Sequence, residues 1–310
     1  MSILSRIALS RRLKKNMKTD PDRLRRHIEI LAEAPRPAGS RELEQARSYV
    51  AEQFEASGWV VQQHPFDSEN DRGEFLSGIN LIARHPEYPV KDGPRFCVGA
   101  HVDSVPNSPG ADDNASAVAA LLEIARLIPE NRLGETKLEL ELVAFDLEES
   151  GMLGGAEHAR LSRDSGVDLR GMVSLEMLGY CDHQPNSQQL PRTLKGLYPD
   201  TGNFIAVVGN QNSGELIERF RDGMRHVPKL LVETLQVPSN GDFLQATRLS
   251  DHSPFWDAGY SAVMITDTSF MRNPHYHLPS DTLQTLDMEF LHRVAEGSLE
   301  AVLHILATGL

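Results

Sequence analysis

Only two cysteines occur in 310 residues, Cys97 and Cys181, too few for a disulfide framework in a chain of this size. No CxxC pair exists, and Cys97 sits in an apolar run where a thiol packs like any small hydrophobe. No run of 18 apolar residues is present, so nothing reads as a transmembrane helix. Basic charge is scarce as well. Lys and Arg number 31 against 44 Asp and Glu, a net −13, which argues against a general partner for nucleic acid or an anionic membrane. Repeats, low-complexity tracts and long Gly/Ser linkers are also missing, so no internal domain boundary is marked.

What is present is a globular composition, 40% hydrophobic and 24% charged, in a chain near the upper length for one core. The charge is unevenly spread. Residues 1–26 hold nine Lys/Arg against two Asp/Glu, whereas residues 27–310 hold 22 against 42. We expect a basic, flexible arm over 1–19 and a catalytic domain over 20–310. Residues Ile3–Ala8 are too short for a secretory apolar region, and Arg11-Arg12 lacks the apolar stretch a twin-arginine signal needs. A cytoplasmic location is the resulting expectation.

Asp20-Pro21 followed by Leu24, Ile28 and Leu31 marks a capped amphipathic helix, and Ser40 with Glu42 and Leu43 starts a second that ends before Gly58. Strand-forming runs fall at 59–66, 79–84, 95–101, 138–146, 172–178, 203–209 and 260–267. Helical spacing recurs at 113–128, 152–163, 213–226 and 287–305. This alternation predicts a single three-layer α/β/α domain with a mixed, mostly parallel central sheet. A long loop at 181–202 and another at 238–250 are the expected carriers of specificity.

Open α/β sheets build their sites beyond the carboxyl ends of strands. Four predicted strands deliver His, Asp or Glu there: His101-Val102-Asp103-Ser104, with Gly110-Ala111-Asp112-Asp113-Asn114-Ala115-Ser116 after it; Asp146-Leu147-Glu148-Glu149-Ser150-Gly151; Glu176; and His275-Tyr276-His277. Each is weak alone, since paired glutamates usually face solvent at a helix start. Together, imidazoles and carboxylates at four strand ends describe a site for a hard-to-borderline cation. No nucleophilic Ser/His/Asp or Cys/His set shows comparable order. His158 fits no ligand spacing and reads as a helix-face residue; Asp251 reads as a helix cap or as a group behind the site.

With these motifs the sequence resembles the co-catalytic zinc aminopeptidases of metallopeptidase family 28, from about residue 20 to the C-terminus. That family also holds glutamate carboxypeptidase, glutaminyl cyclase and a non-catalytic receptor ectodomain. The resemblance implies two zinc ions per chain, with His101 and Glu176 on one, Glu149 and His277 on the other, and Asp112 bridging. It implies Glu148 as general base, Asp103 as the carboxylate orienting His101, and Tyr276 as donor to the developing oxyanion. It also implies a cis peptide after the bridging aspartate, placed at Asp112–Asp113. Glu176 departs from the family, which often has Asp there, and Ala117 stands where Gly is common.

The implied activity is hydrolysis of N-terminal peptide bonds by a metal-bridging hydroxide, on peptide or aminoacyl substrates. An acidic pocket suits a free α-amino cation. Two alternatives keep the fold: a single-zinc glutaminyl cyclase, and a binding module without catalysis. Related amidohydrolases with a similar His-x-Asp order usually insert a dimerisation domain, for which the 101 residues between Glu176 and His277 leave little room.

Overall fold

A computed structural model describes residues 18–87, 93–130 and 136–310; most of the expected basic arm, residues 1–17, lies outside them. Eight strands form one sheet in the order β1-β2-β4-β3-β5-β8-β6-β7. They are β1 (Val60–Glu69), β2 (Phe75–Arg84), β3 (Arg95–His101), β4 (Glu139–Phe145), β5 (Leu169–Glu176), β6 (Phe204–Asn210), β7 (Leu231–Val237) and β8 (Ala262–Thr266). The central block β4-β3-β5-β8 is parallel throughout, and β6 runs antiparallel to β8. The expected mixed, mostly parallel sheet is therefore present.

Strand alternation sorts the core onto two faces. Phe96, Val98 and Ala100 of β3 join the larger cluster, under α1 (Pro21–Leu31), α2 (Arg41–Ala56), α3 (Ala117–Glu130), α5 (Gly214–Met224) and α7 (Met288–Thr308). Cys97 of β3 turns to the opposite face, beneath α4 (Leu153–Asp164) and α6 (His252–Asp257), with Phe145, Met172, Phe255 and Trp256. The caps read from sequence are made: Asp20 accepts from Asp22 N, and Ser40 from Leu43 N.

Two expectations need correction, and the open choice for Asp251 falls to the group behind the site. Strand β7 escaped the sequence reading because Leu231–Val237 is an edge strand mixing Glu233, Thr234 and Gln236 with apolar residues. His158 is buried rather than on the surface, with Nε2 at 2.7 Å from Glu141 Oε1. Asp251 does not cap α6; its carboxyl is buried at the back of the site, and burial pushes its pKa well up. No helix among the described residues is long and apolar enough to cross a membrane.

His27 on α1 is buried, with Nδ1 at 2.7 Å from the Tyr49 hydroxyl. Burial first, and then the Arg23 charge, hold its pKa down at about 4. The unfolded imidazole, near 6.5, takes up its proton first, so the contribution is complete above about pH 6.5 and is lost as pH falls toward the folded value. Relative to His27→Leu, the wild-type unfolding free energy should drop by about 2 kcal/mol between about pH 7.5 and 5, measured by urea titration. A constant difference would refute the assignment.

Candidate metal centre

The four adjacent parallel strands β4, β3, β5 and β8 bring the predicted motifs to one sheet edge. His101 ends β3 and Glu176 ends β5; Glu148 and Glu149 follow β4, and His277 lies on the segment after β8. His101, Asp113 and Glu176 place one donor atom each within 4.8 Å of one another, and Asp113, Glu149 and His277 do the same. Asp113 belongs to both groups. Its Oδ1 lies 3.3 Å from His101 Nε2 and its Oδ2 lies 3.2 Å from His277 Nε2. The outer carboxylates close each group, Glu176 Oε2 at 3.5 Å from His101 Nε2 and Glu149 Oε2 at 3.2 Å from His277 Nε2.

Asp112, expected to bridge, does not. Its carboxylate turns away and accepts from Gly179 N at 2.8 Å, Asn273 Nδ2 at 2.7 Å and Ser116 Oγ at 3.2 Å. The cis peptide is displaced by the same single residue, to Asp113–Asn114. Two aspartates are consecutive in a wide turn, Ala111–Ser116, whose backbone points one side chain to the donors and the other to the loop after β5. Residue type and spacing do not distinguish them.

The donor set fits divalent metal. Ligands held at about 2.0–2.1 Å around a tetrahedral ion stand about 3.3 Å apart, which matches the observed separations of 3.2–3.5 Å. His101 Nε2 and Glu149 Oε1 are buried polar atoms without a hydrogen-bond partner. Burial pushes Glu148 well above the usual carboxylate range and Glu149 up to about 7, with neighbouring carboxylates adding to the effect. Burial would lower His277, but its bonds to Asp113 and Glu149 outweigh that and raise it to about 10. Crowded buried carboxylates of this kind are what a divalent cation stabilises.

The surrounding residues set the aim of these groups. Asp103 lies 3.3 Å from His101 Nδ1 and accepts from Glu148 N and Glu149 N, each at 3.1 Å. One carboxylate therefore fixes an imidazole and the glutamate pair. Ser250 Oγ donates to Glu176 Oε2 at 2.7 Å. Asn114 ties the wide turn to the end of β5, donating to Leu175 O at 3.0 Å and accepting from Met177 N at 2.9 Å. Leu147, Met177 and His277 all adopt left-handed φ, at 58°, 48° and 59°. Non-glycine residues hold that region only where the surroundings enforce it. Tyr276 stacks on His277 with ring centroids 3.7 Å apart. His275 is turned aside, its Nδ1 hydrogen-bonded with Ser280 Oγ at 2.9 Å.

Two supporting residues escaped the sequence reading. Arg36 is 2% exposed and donates to the carbonyls of Leu31, Val102, Pro109 and Gly110, which lashes the loop after His101 to the approach of the wide turn. Asp281 accepts from Asp112 N at 2.9 Å and Asp113 N at 3.2 Å. In the sequence Arg36 stands between two prolines, and Asp281 four residues after His277, with no role assigned to either. Gly110 has φ 63°, and a Cβ there would meet Asp113 O at 2.2 Å, so the position leading into the turn accepts only glycine.

Residues 80–302 match the profile of Peptidase family M28. The chain belongs to peptidase family M28. It is 34% identical over 294 residues to the uncharacterized protein YfbL of Escherichia coli, spanning 89% of this chain and 86% of YfbL. The fold is shared with BSAP, a zinc aminopeptidase from Bacillus subtilis, at a TM-score of 0.74 and 16% identity over 96% of this chain and 98% of that one. It is shared equally with a Bacteroides thetaiotaomicron glutaminyl cyclase, at 0.72 and 18% over 95% and 100%. At such identities the likeness establishes architecture alone.

Arg36→Met should leave four carbonyls, three of them buried, short of a donor. We expect a stability loss of about 3 kcal/mol or more by denaturant titration and a fall in metal affinity of about 10- to 100-fold. An M28 chain indifferent to this change would show that Arg36 does not organise the site.

Proposed function

We propose that this protein is a metal-dependent exopeptidase, an aminopeptidase that hydrolyses N-terminal peptide bonds with two zinc ions per chain. The observation that carries this reading is the Asp113 carboxylate shared between two donor triads, with Glu148 beside them. His101, Asp113 and Glu176 would hold one ion, and Asp113, Glu149 and His277 the other. A pair of bound divalent ions supplies an activated water at neutral pH and polarises the scissile carbonyl.

The protein side chains do the rest. Glu148 Oε2 lies 3.9 Å from His101 Nε2 at the wall of the cavity. Its raised affinity for a proton suits it to take one from the attacking water and return it to the leaving amine. Asp103 keeps its backbone in place. Burial pushes the Tyr276 phenol far above its ordinary range, so its hydroxyl stays protonated and available as a donor to oxygen charge developing on the substrate. The cavity wall at Glu148, Glu149 and Glu176 is acidic, which favours a substrate that ends there in a cationic α-amino group.

The complete second triad favours hydrolysis with two ions over single-zinc glutaminyl cyclisation, and the retention of Glu148 favours catalysis over a binding module. Purified protein should contain close to two zinc ions per chain and hydrolyse aminoacyl-arylamides. A chelator should abolish that activity and added zinc restore it. Glu148→Gln should lower kcat by about 10²- to 10⁴-fold with metal content unchanged. Full activity in that variant, or glutaminyl cyclisation with one zinc and no arylamide hydrolysis, would falsify the assignment.

A further inference from the structure

Beside the donor triads lies a cavity of about 270 Å³. Its floor is a row of residues in register across four strands. Glu176 of β5 pairs with Thr266 of β8, Thr266 with Ala206 of β6, and Ala206 with Glu233 of β7. Register partners share a face, and all four residues line the cavity. The neighbouring row, Met264, Val208 and Leu235, is apolar, and Phe204 continues the wall on β6. The site is therefore a trough: donors at one end, small floor residues between, apolar walls, and a carboxylate at the far end.

Glu233 has no obvious structural purpose there. It is half-buried on the edge strand, and among the described residues no ion pair or hydrogen bond engages its carboxylate. Tyr198, which lines the same cavity, gives its hydroxyl to Thr234 O at 2.9 Å instead. Half-buried at the end of an apolar trough, that carboxylate keeps contact with solvent and is free to receive a charged group. An incoming cation would supply the partner.

We propose that this trough receives the side chain of the substrate's N-terminal residue and that Glu233 makes it selective for a cationic one, arginine or lysine. The proposal rests on the aminopeptidase reading above. Three strand spacings separate Glu176 from Glu233, about 14 Å. An extended lysine or arginine reaches roughly 6 to 7 Å from Cα to its charged head, and with contacts of about 3 Å at each end it covers about 12 to 13 Å of that span. The apolar walls cover the methylene stem while the head meets the carboxylate, the usual division for such side chains. Leucine is too short to reach Glu233 and leaves it unpaired.

The test uses zinc-loaded protein and the arylamides of arginine, lysine, norleucine and leucine. Wild type should favour arginine and lysine over leucine by about tenfold or more in kcat/KM. Glu233→Gln should reduce the arginine-to-leucine ratio by about tenfold or more, mainly through KM. Calorimetry of free arginine and norleucine binding to the Glu148→Gln protein reads the same preference without turnover; arginine should bind more tightly, and the advantage should vanish when Glu233→Gln is added. An unchanged ratio in Glu233→Gln, or equal binding of the two ligands, overturns the assignment of Glu233. Failure to cleave any arylamide overturns the aminopeptidase reading instead, and the binding preference then still decides whether Glu233 selects a cation.

Discussion

The structure is organised around one electrostatic constraint: Asp113, Glu148, Glu149 and Glu176 are packed with His101 and His277 into a largely buried crevice. Buried like charges repel strongly when water does not screen them. The arrangement persists because positive charge and hydrogen-bond donors are aimed into it. Arg36 stands behind with its guanidinium committed to four carbonyls. Backbone N–H groups serve Asp103 and Asp281, so these carboxylates brace the loops that carry the donors.

The fold makes that concentration of charge attainable. Parallel strands direct their carboxyl ends the same way, and β4-β3-β5-β8 are contiguous, so four loops meet at one edge. Helices cover both faces of the central strands, so the donors gather on the loops at the strand ends. The reversal between β8 and β6 then does something different. It opens an apolar trough leading from the crevice toward the sheet edge, walled by Phe204, Val208, Leu235 and Met264. The donor crevice and the trough thus occupy neighbouring parts of one sheet, the trough crossing the strand that changes direction.

Helices with caps and periodic apolar faces are legible in the amino-acid order, as are the central strands, because burial on both faces demands continuous apolar runs. The site residues His101, Asp103, Glu148, Glu149, Glu176, Tyr276 and His277 are legible because they sit at strand ends in recognisable order, and the structure brings them together. Strand β7 is not, since an edge strand with one wet face carries a diluted pattern. Arg36 and Asp281 are not, because apart from the Arg36 bond to Leu31 O they act on backbone groups 66 to 169 residues away in sequence, and no local spacing encodes such a contact.

By itself, then, the sequence determined the alternation of strands and helices, the family, and which residue types would crowd at the sheet edge. Which of two adjacent aspartates joins the two triads was decided only by the tertiary structure, because the Ala111–Ser116 turn is held by Asp281 and by the end of β5 and so points Asp113 inward. The same holds for Glu233: its place opposite Glu176 exists only through the register of four strands whose order across the sheet, β5-β8-β6-β7, differs from their order in the chain.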